Sequence, residues 1–248
     1  MAPPLVIAHR GDSAHKPENT LAAFASALEI GAALVEFDVH LSRDGQVMVI
    51  HDPTVDRTTN GHGQVKDLRL EELRRLSAGY PTRFGSAHAG ERIPTLAEVL
   101  GLLRERAQAM IEIKTEAVTD DAEGGIEAHV VEAVRHAGME KDVALISFDR
   151  RALLRCRTLA PDLLRGHLFE RGQPGEMLAG AREVSSGLIM PEKRLLSDEL
   201  RDRAREAGLK VATWVVDEIE ELRRLMRFEL YGVGSNRPGE MLEALQSL

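Results

Sequence analysis

The chain has 248 residues, 43% of them apolar and 29% charged, with a formal net charge of −8. That is ordinary for a soluble globular protein and enough material for one large α/β domain or two small ones. The acidic balance argues against a protein that grips nucleic acid or anionic lipid through bulk charge, but it leaves room for a small anionic substrate held by a few local cations and a metal. The single cysteine, Cys156, excludes an internal disulfide and fits a reducing, cytoplasmic setting. Set among Leu153, Leu154 and Leu159, it reads as a buried small hydrophobe. The opening MAPPLVIAHRG has no basic segment and only a short apolar run, so neither a signal peptide nor a stable membrane insertion is expected.

In chain order, Leu5 to Ala8 is a short apolar strand ending in His9-Arg10-Gly11. Pro17-Glu18-Asn19-Thr20 opens a helix, with Asn19 or Thr20 as its cap. Leu21, Phe24, Ala25 and Leu28 are spaced for its buried face, and Gly31 closes it.

The densest signal is Leu34 to Asp52, LVEFDVHLSRDGQVMVIHD. Val35, Phe37, Val39 and Leu41 alternate with Glu36, Asp38, His40 and Ser42, the period of a strand. Strand sites i and i+2 lie about 6.6 Å apart, so Glu36 and Asp38 can reach one hard cation through oxygen bonds of roughly 2.0–2.6 Å. Asp44-Gly45 is a two-residue hairpin signal. If those two residues form the turn, Asp38 falls opposite His51, and cross-strand partners share a face.

Residues 52–92 are rich in Thr, Asn, Gly, Pro and charge, with one short helix expected near Leu70 to Leu76. This stretch reads as an insertion over the active-site face of a single domain spanning 1–248. Thr95 and Glu98 form a capping box, and from there strands and helices alternate to the end. Asp217 with Glu220 reads as the cap of the helix after the seventh strand, and Pro238 opens the terminal helix.

Setting aside the returning arm of the hairpin, eight strands are expected, at 5–8, 33–38, 109–113, 143–147, 163–168, 187–190, 210–215 and 230–235, each followed by a helix. Eight βα units in this length is the count of a (β/α)8 TIM barrel. The competing doubly wound sheet lacks its Gly-rich phosphate fingerprint after strand one.

In a barrel, chemistry collects at the C-terminal strand ends. His9 and Arg10 lie at the end of strand one, Glu36 and Asp38 at strand two, Glu112 and Lys114 at strand three, and Trp214 near the end of strand seven. Taken singly, each has a structural reading: an internal Glu–Lys pair, a hydrogen-bonded histidine, a core tryptophan. Together, three acids, two histidines and two cations on adjacent strand ends would be costly to bury without a ligand. The oxygen-only set Glu36, Asp38 and Glu112 favours Mg²⁺ or Ca²⁺ over zinc. Of the other histidines, His40 alone shares the face of Glu36 and Asp38.

These residues fall into blocks with a known counterpart. HRG with PENT, EFDVHLSRDGQVMVIHD, RTTNGHG, IPTLAEVL, IEIK, ISF and the tryptophan-containing seventh strand occur, from Val6 to Pro238, in the order found in the glycerophosphodiester phosphodiesterases, and the chain resembles that family nearly end to end. The first two blocks together are highly specific.

The resemblance implies His9 and His51 as a general acid/base pair, and Arg10 and Lys114 as phosphate-holding residues. It implies Glu36, Asp38 and Glu112 as metal ligands and Trp214 as a surface against the glycerol. It further implies a metal-dependent phosphodiesterase acting on diesters such as glycerophosphocholine or glycerophosphoethanolamine. On our reading a glycerol hydroxyl would attack phosphorus to give a cyclic phosphate that water then opens, with direct attack by water as the alternative. A lysophospholipase D-like enzyme or a cyclic-phosphate-forming lyase on the same barrel is the nearest competitor, and a non-catalytic phosphate-binding barrel the next. Two departures stand out. The last strand runs Gly234-Ser235-Asn236-Arg237-Pro238 where the family commonly has Thr-Asp or Thr-Asn, and Val-Val-Asp follows Trp214 where Thr-Val-Asn is usual.

Overall fold

The computed structural model describes residues 3–121 and 124–247. In chain order its elements are β1 (Leu5–His9), α1 (Leu21–Glu29), β2 (Leu34–Leu41), β3 (Val47–Val49), α2 (Leu70–Arg75), α3 (Pro81–Phe84), α4 (Leu96–Leu103) and β4 (Gln108–Ile113). They continue with α5 (Ile126–Ala137), β5 (Val143–Ser147), α6 (Arg150–Leu159), β6 (Leu164–Phe169), α7 (Pro174–Glu183) and β7 (Leu188–Pro191). The chain finishes with α8 (Asp198–Glu206), β8 (Lys210–Thr213), α9 (Ile219–Leu225), β9 (Gly232–Ser235) and α10 (Pro238–Gln246).

Parallel pairing runs β1-β2-β4-β5-β6-β7-β8-β9 and returns from β9 to β1, which closes an eight-stranded barrel; β3 lies antiparallel on the outer end of β2. This is the (β/α)8 TIM barrel expected from the strand count. The sixth to eighth strands, Leu188–Pro191, Lys210–Thr213 and Gly232–Ser235, are shorter than or offset from the windows read from hydrophobicity; Trp214 continues the seventh only through an isolated bridge to Glu192.

Alternation along the strands explains how one sequence serves two environments. On β2 the odd residues Val35, Phe37 and Val39 face outward into a core with α1, α4, α5 and α6, which includes Phe24, Leu100 and Val130. The even residues face the barrel axis, apolar at the bottom with Leu34 and acidic at the top with Glu36 and Asp38. On β4, Met110 joins the barrel interior while Ile111 and Ile113 join the outer core. The barrel is therefore plugged below by Ile7, Leu34, Met110, Leu188 and Ala212, and its polar groups are pushed to one rim.

Local chemistry sets the joints. Thr20 caps α1, accepting from the Ala23 amide at 3.3 Å, which releases Asn19 for another role. The buried face of α1 is centred on Ala23, Phe24 and Ala27, one step round from the face expected through Ala25. Thr95 and Glu98 form the expected capping box at α4. Gly11 has φ +82, and a Cβ there would lie 2.6 Å from the carbonyl carbon of Ala23. Only glycine lets the end of β1 pass this close to α1.

The hairpin differs from its expected form. Ser42 donates its amide to Gln46 O at 2.9 Å, and Gly45 donates to Ser42 O at 3.1 Å with φ +78. The loop is thus three residues, Arg43-Asp44-Gly45, closed by a left-handed glycine. The extra loop residue moves the register by one: Val39 pairs with Val49, and the Ile50 amide donates to Asp38 O at 3.0 Å. Ile50, not His51, lies opposite Asp38.

The stretch after the hairpin builds its own small cluster from Val55, Val65, Leu73, Ala78 and Ile93 packed on Met48 and Ile50. Among the described residues, no helix is long and apolar enough to cross a membrane. Cys156 is fully buried, as expected, and burial pushes its thiol up to about 12.

Candidate active site

Glu36, Asp38 and Glu112 each offer an oxygen, and those atoms lie within 4.8 Å of one another. All three side chains are buried. Two cations reach them: Lys114 Nζ is 2.8 Å from Glu112 Oε1 and 3.3 Å from Asp38 Oδ1, and Arg10 Nε is 3.2 Å from Asp38 Oδ2. Asn19, freed from capping, donates from Nδ2 to Asp38 Oδ2 at 2.9 Å.

Three carboxylates face two cationic side chains, so the cluster remains short of positive charge, and the titration directions reflect this. Burial raises Glu36 well above the usual carboxylate range, with the Asp38 and Glu112 charges adding to it. Burial and Asp38 likewise push Glu112 up to about 7. Burial works upward on Asp38 too, but Arg10 and Lys114 outweigh it and hold that carboxyl low. Asn19 Oδ1 is buried without a hydrogen-bond partner, and Asp38 Oδ1 is buried with no hydrogen bond beyond its 3.3 Å ion pair with Lys114. An all-oxygen donor set with buried, unsatisfied acceptors and a charge deficit suits a hard divalent cation.

The histidines stand beside this cluster in contrasting settings. His9 Nδ1 is 2.7 Å from Asn236 Oδ1. Asn236 is oriented because its Nδ2 donates to Asp217 Oδ2 at 2.7 Å and Ser13 Oγ donates to its Oδ1 at 2.9 Å. That network assigns the proton to Nδ1 of His9 and leaves Nε2, 3.9 Å from Glu36 Oε2, as the free base. Burial, with the Arg10 charge adding, lowers His9 to about 4. His51 Nδ1 instead lies 2.6 Å from Asp52 Oδ1, and its carbonyl accepts from His40 Nε2 at 3.0 Å. His40 is therefore buried as a support for the backbone of His51.

A second charge chain ties the 52–92 stretch to the rim. Arg57 donates to Asp52 from Nε at 2.6 Å, and grips Glu18 with both terminal nitrogens at 2.8 Å. Glu18 accepts from Arg10 Nη1 at 2.9 Å. Burial works upward on Asp52, but hydrogen bonds from Arg57 and His51 hold it at about 2.

One cleft is lined by His9, Arg10, Glu36, His51, Glu112 and Lys114 on one side, and by Phe148, Glu170, Met190 and Trp214 on the other. Trp214 donates from Nε1 to Met190 O at 3.0 Å and meets Phe148 edge to face, ring centres 5.6 Å apart.

A sequence model described as the glycerophosphoryl diester phosphodiesterase family matches residues 9–240 of this chain. The chain belongs to that family. A glycerophosphodiester phosphodiesterase of Caldanaerobacter subterraneus subsp. tengcongensis is 39% identical over 245 residues, covering 98% of each chain. Among solved structures, an Oleispira antarctica phosphodiesterase in complex with the product sn-glycerol-3-phosphate superposes with a TM-score of 0.86. It is 27% identical, with 98% of this chain and 97% of that one covered. The glycerophosphodiester phosphodiesterase of Agrobacterium tumefaciens gives 0.83, at 29% identity and 97% and 99% coverage.

Every phosphodiesterase site residue expected from the sequence lies at this cleft or in its carboxylate cluster. The route by which His51 arrives was misread, as the hairpin register shows. Asp217 does not cap α9: it accepts from Ser235 Oγ at 2.9 Å and from the Asn236 amide at 2.8 Å. Glu18, Asn19, Asp52, Arg57, Asp217, Asn236 and Glu170 were not singled out as site residues. Glu18 and Arg57 lie within the PENT and RTTNGHG blocks, so the signal was present there. For the Asp217–Asn236 pair the clue was that both departures from the family pattern fall on residues that contact each other.

Proposed function

We propose that this phosphodiesterase hydrolyses glycerophosphodiesters such as glycerophosphocholine and glycerophosphoethanolamine to sn-glycerol 3-phosphate and an alcohol. His9 and His51 are its acid/base pair, and a divalent cation, Mg²⁺ or Ca²⁺, is held by Glu36, Asp38 and Glu112. The observation that carries this reading is the placement of two imidazoles with different hydrogen-bond partners on one cleft with Arg10, Lys114 and the carboxylate cluster.

When bound, the cation would neutralise non-bridging phosphate oxygens and lower the pKa of a glycerol hydroxyl. Arg10 and Lys114 add fixed positive charge on the same side of the cleft. His9, unprotonated at Nε2, accepts the proton of the attacking hydroxyl. His51, its Nδ1–H held by the Asp52 carboxylate, protonates the departing alcohol oxygen. The cyclic phosphate formed is opened by water with the two roles exchanged, which restores both protonation states. Trp214 supplies an apolar surface for the glycerol carbons.

The test is a leaving-group comparison. His51→Ala should slow release of choline by about 10²–10⁴-fold, yet lose far less on a glycerophosphodiester whose nitrophenolate leaves without a proton. Equal losses on both would show that His51 is not the acid.

A further inference from the structure

In the order in which the strands close the barrel, β6 stands diametrically across from β1. His9 and Arg10 leave the end of β1, and Glu170 follows the end of β6 on the opposite wall of the same cleft. The other acids lining the cleft, Glu36 and Glu112, are buried in the cationic cluster. Glu170 is exposed and forms no hydrogen bond or ion pair among the described residues. Beside it on this wall are the half-buried rings of Phe148 and Trp214, 84° apart.

The two walls thus have opposite character. One carries Arg10, Lys114 and both histidines and suits a phosphate. The other carries a free carboxylate next to the Phe148 ring, which suits a cation: a ring attracts it through its face and a carboxylate through its charge.

We propose that Glu170, with the neighbouring Phe148 ring, is a specificity-determining subsite for a positively charged alcohol portion of the diester, a quaternary or primary ammonium, while Trp214 keeps the glycerol. This assignment rests on the proposed glycerophosphodiester hydrolysis. A zwitterionic diester spans the cleft with its phosphate toward Arg10 and Lys114 and its ammonium toward Glu170. A diester with an uncharged alcohol portion leaves the carboxylate facing water. The charge makes no contact with the reacting atoms, so it acts on selectivity through binding.

The experiment measures kcat/KM for glycerophosphocholine and for glycerophosphoglycerol, whose alcohol portion is uncharged, in the wild type, Glu170→Gln and Glu170→Lys, with a divalent cation present. The expected result is a choline-to-glycerol selectivity ratio lowered about tenfold in Glu170→Gln and lowered further in Glu170→Lys, with the loss on glycerophosphocholine carried by KM. A ratio unchanged in both variants, whether or not the two rates fall together, would overturn the assignment; falling together would mark Glu170 as a ligand of the shared glycerol moiety or a structural residue. Failure of the wild type to turn over either diester would instead overturn the parent reading, and the subsite with it.

Discussion

His9 and His51 are chemically identical side chains made different by their neighbours. An amide oxygen, itself fixed by Asp217, faces Nδ1 of His9, while a carboxylate faces Nδ1 of His51. An amide oxygen fixes the ring and tautomer of His9; a carboxylate fixes the ring of His51. Replacing Asp52 therefore affects more than stability. Its carboxyl is held at about 2, below its ordinary value near 3.9. A depressed carboxyl contributes stability that is present above pH 4 and is lost as the pH falls through 2. The side chain is partly exposed, so the contribution is on the order of 1 kcal/mol. Urea unfolding of wild type and Asp52→Asn should show this gap at pH 6 and its near disappearance at pH 2; a gap independent of pH would contradict the assignment.

Between elements, two glycines and one arginine hold the rim together. Gly11→Ala would drive a methyl into the Ala23 carbonyl at a left-handed φ, an overpacked and strained site costing about 2–4 kcal/mol. Thermal melts should show a clear fall in Tm. Gly45→Ala meets only the strain, since its nearest neighbour, His129, is 3.8 Å away, and should cost about 1 kcal/mol. Arg57 joins Asp52 to Glu18, and through Glu18 to Arg10, so the 52–92 stretch is tied to the site by charge. Arg57→Ala should lower kcat/KM by about 10–100-fold while circular dichroism stays near wild type; unaltered kinetics would reduce Arg57 to a surface tie.

These joints show where sequence reading stops. The carboxylate spacing on β2 and β4 follows from a period of two, so Glu36, Asp38, Glu112 and Lys114 were legible from the chain alone. The hairpin was not, because Asp-Gly suits a two-residue turn and equally a three-residue turn ending in left-handed glycine. Asp217 was misassigned for a related reason: a cap is a local rule, and its actual partners, Ser235 and Asn236, are brought near only by barrel closure.

For the whole molecule, the closed barrel was readable because eight βα units announce themselves one at a time and closure follows from their number. The same architecture plugs the barrel below and opens it above, which is why buried charge is concentrated at one rim. It also buries Cys156 between barrel and helices, with its thiol pushed up to about 12. Iodoacetamide should leave the native protein unlabelled at pH 8 and modify it only after denaturation.

The most direct test of the site as a whole is coupled detection of sn-glycerol 3-phosphate released from glycerophosphocholine by protein treated with EDTA, then supplied with Mg²⁺, Ca²⁺ or Mn²⁺. Turnover should vanish with EDTA and return with one of these ions, and Glu36→Ala should show no return. Full turnover by protein shown by elemental analysis to be free of metal would contradict the role given to Glu36, Asp38 and Glu112.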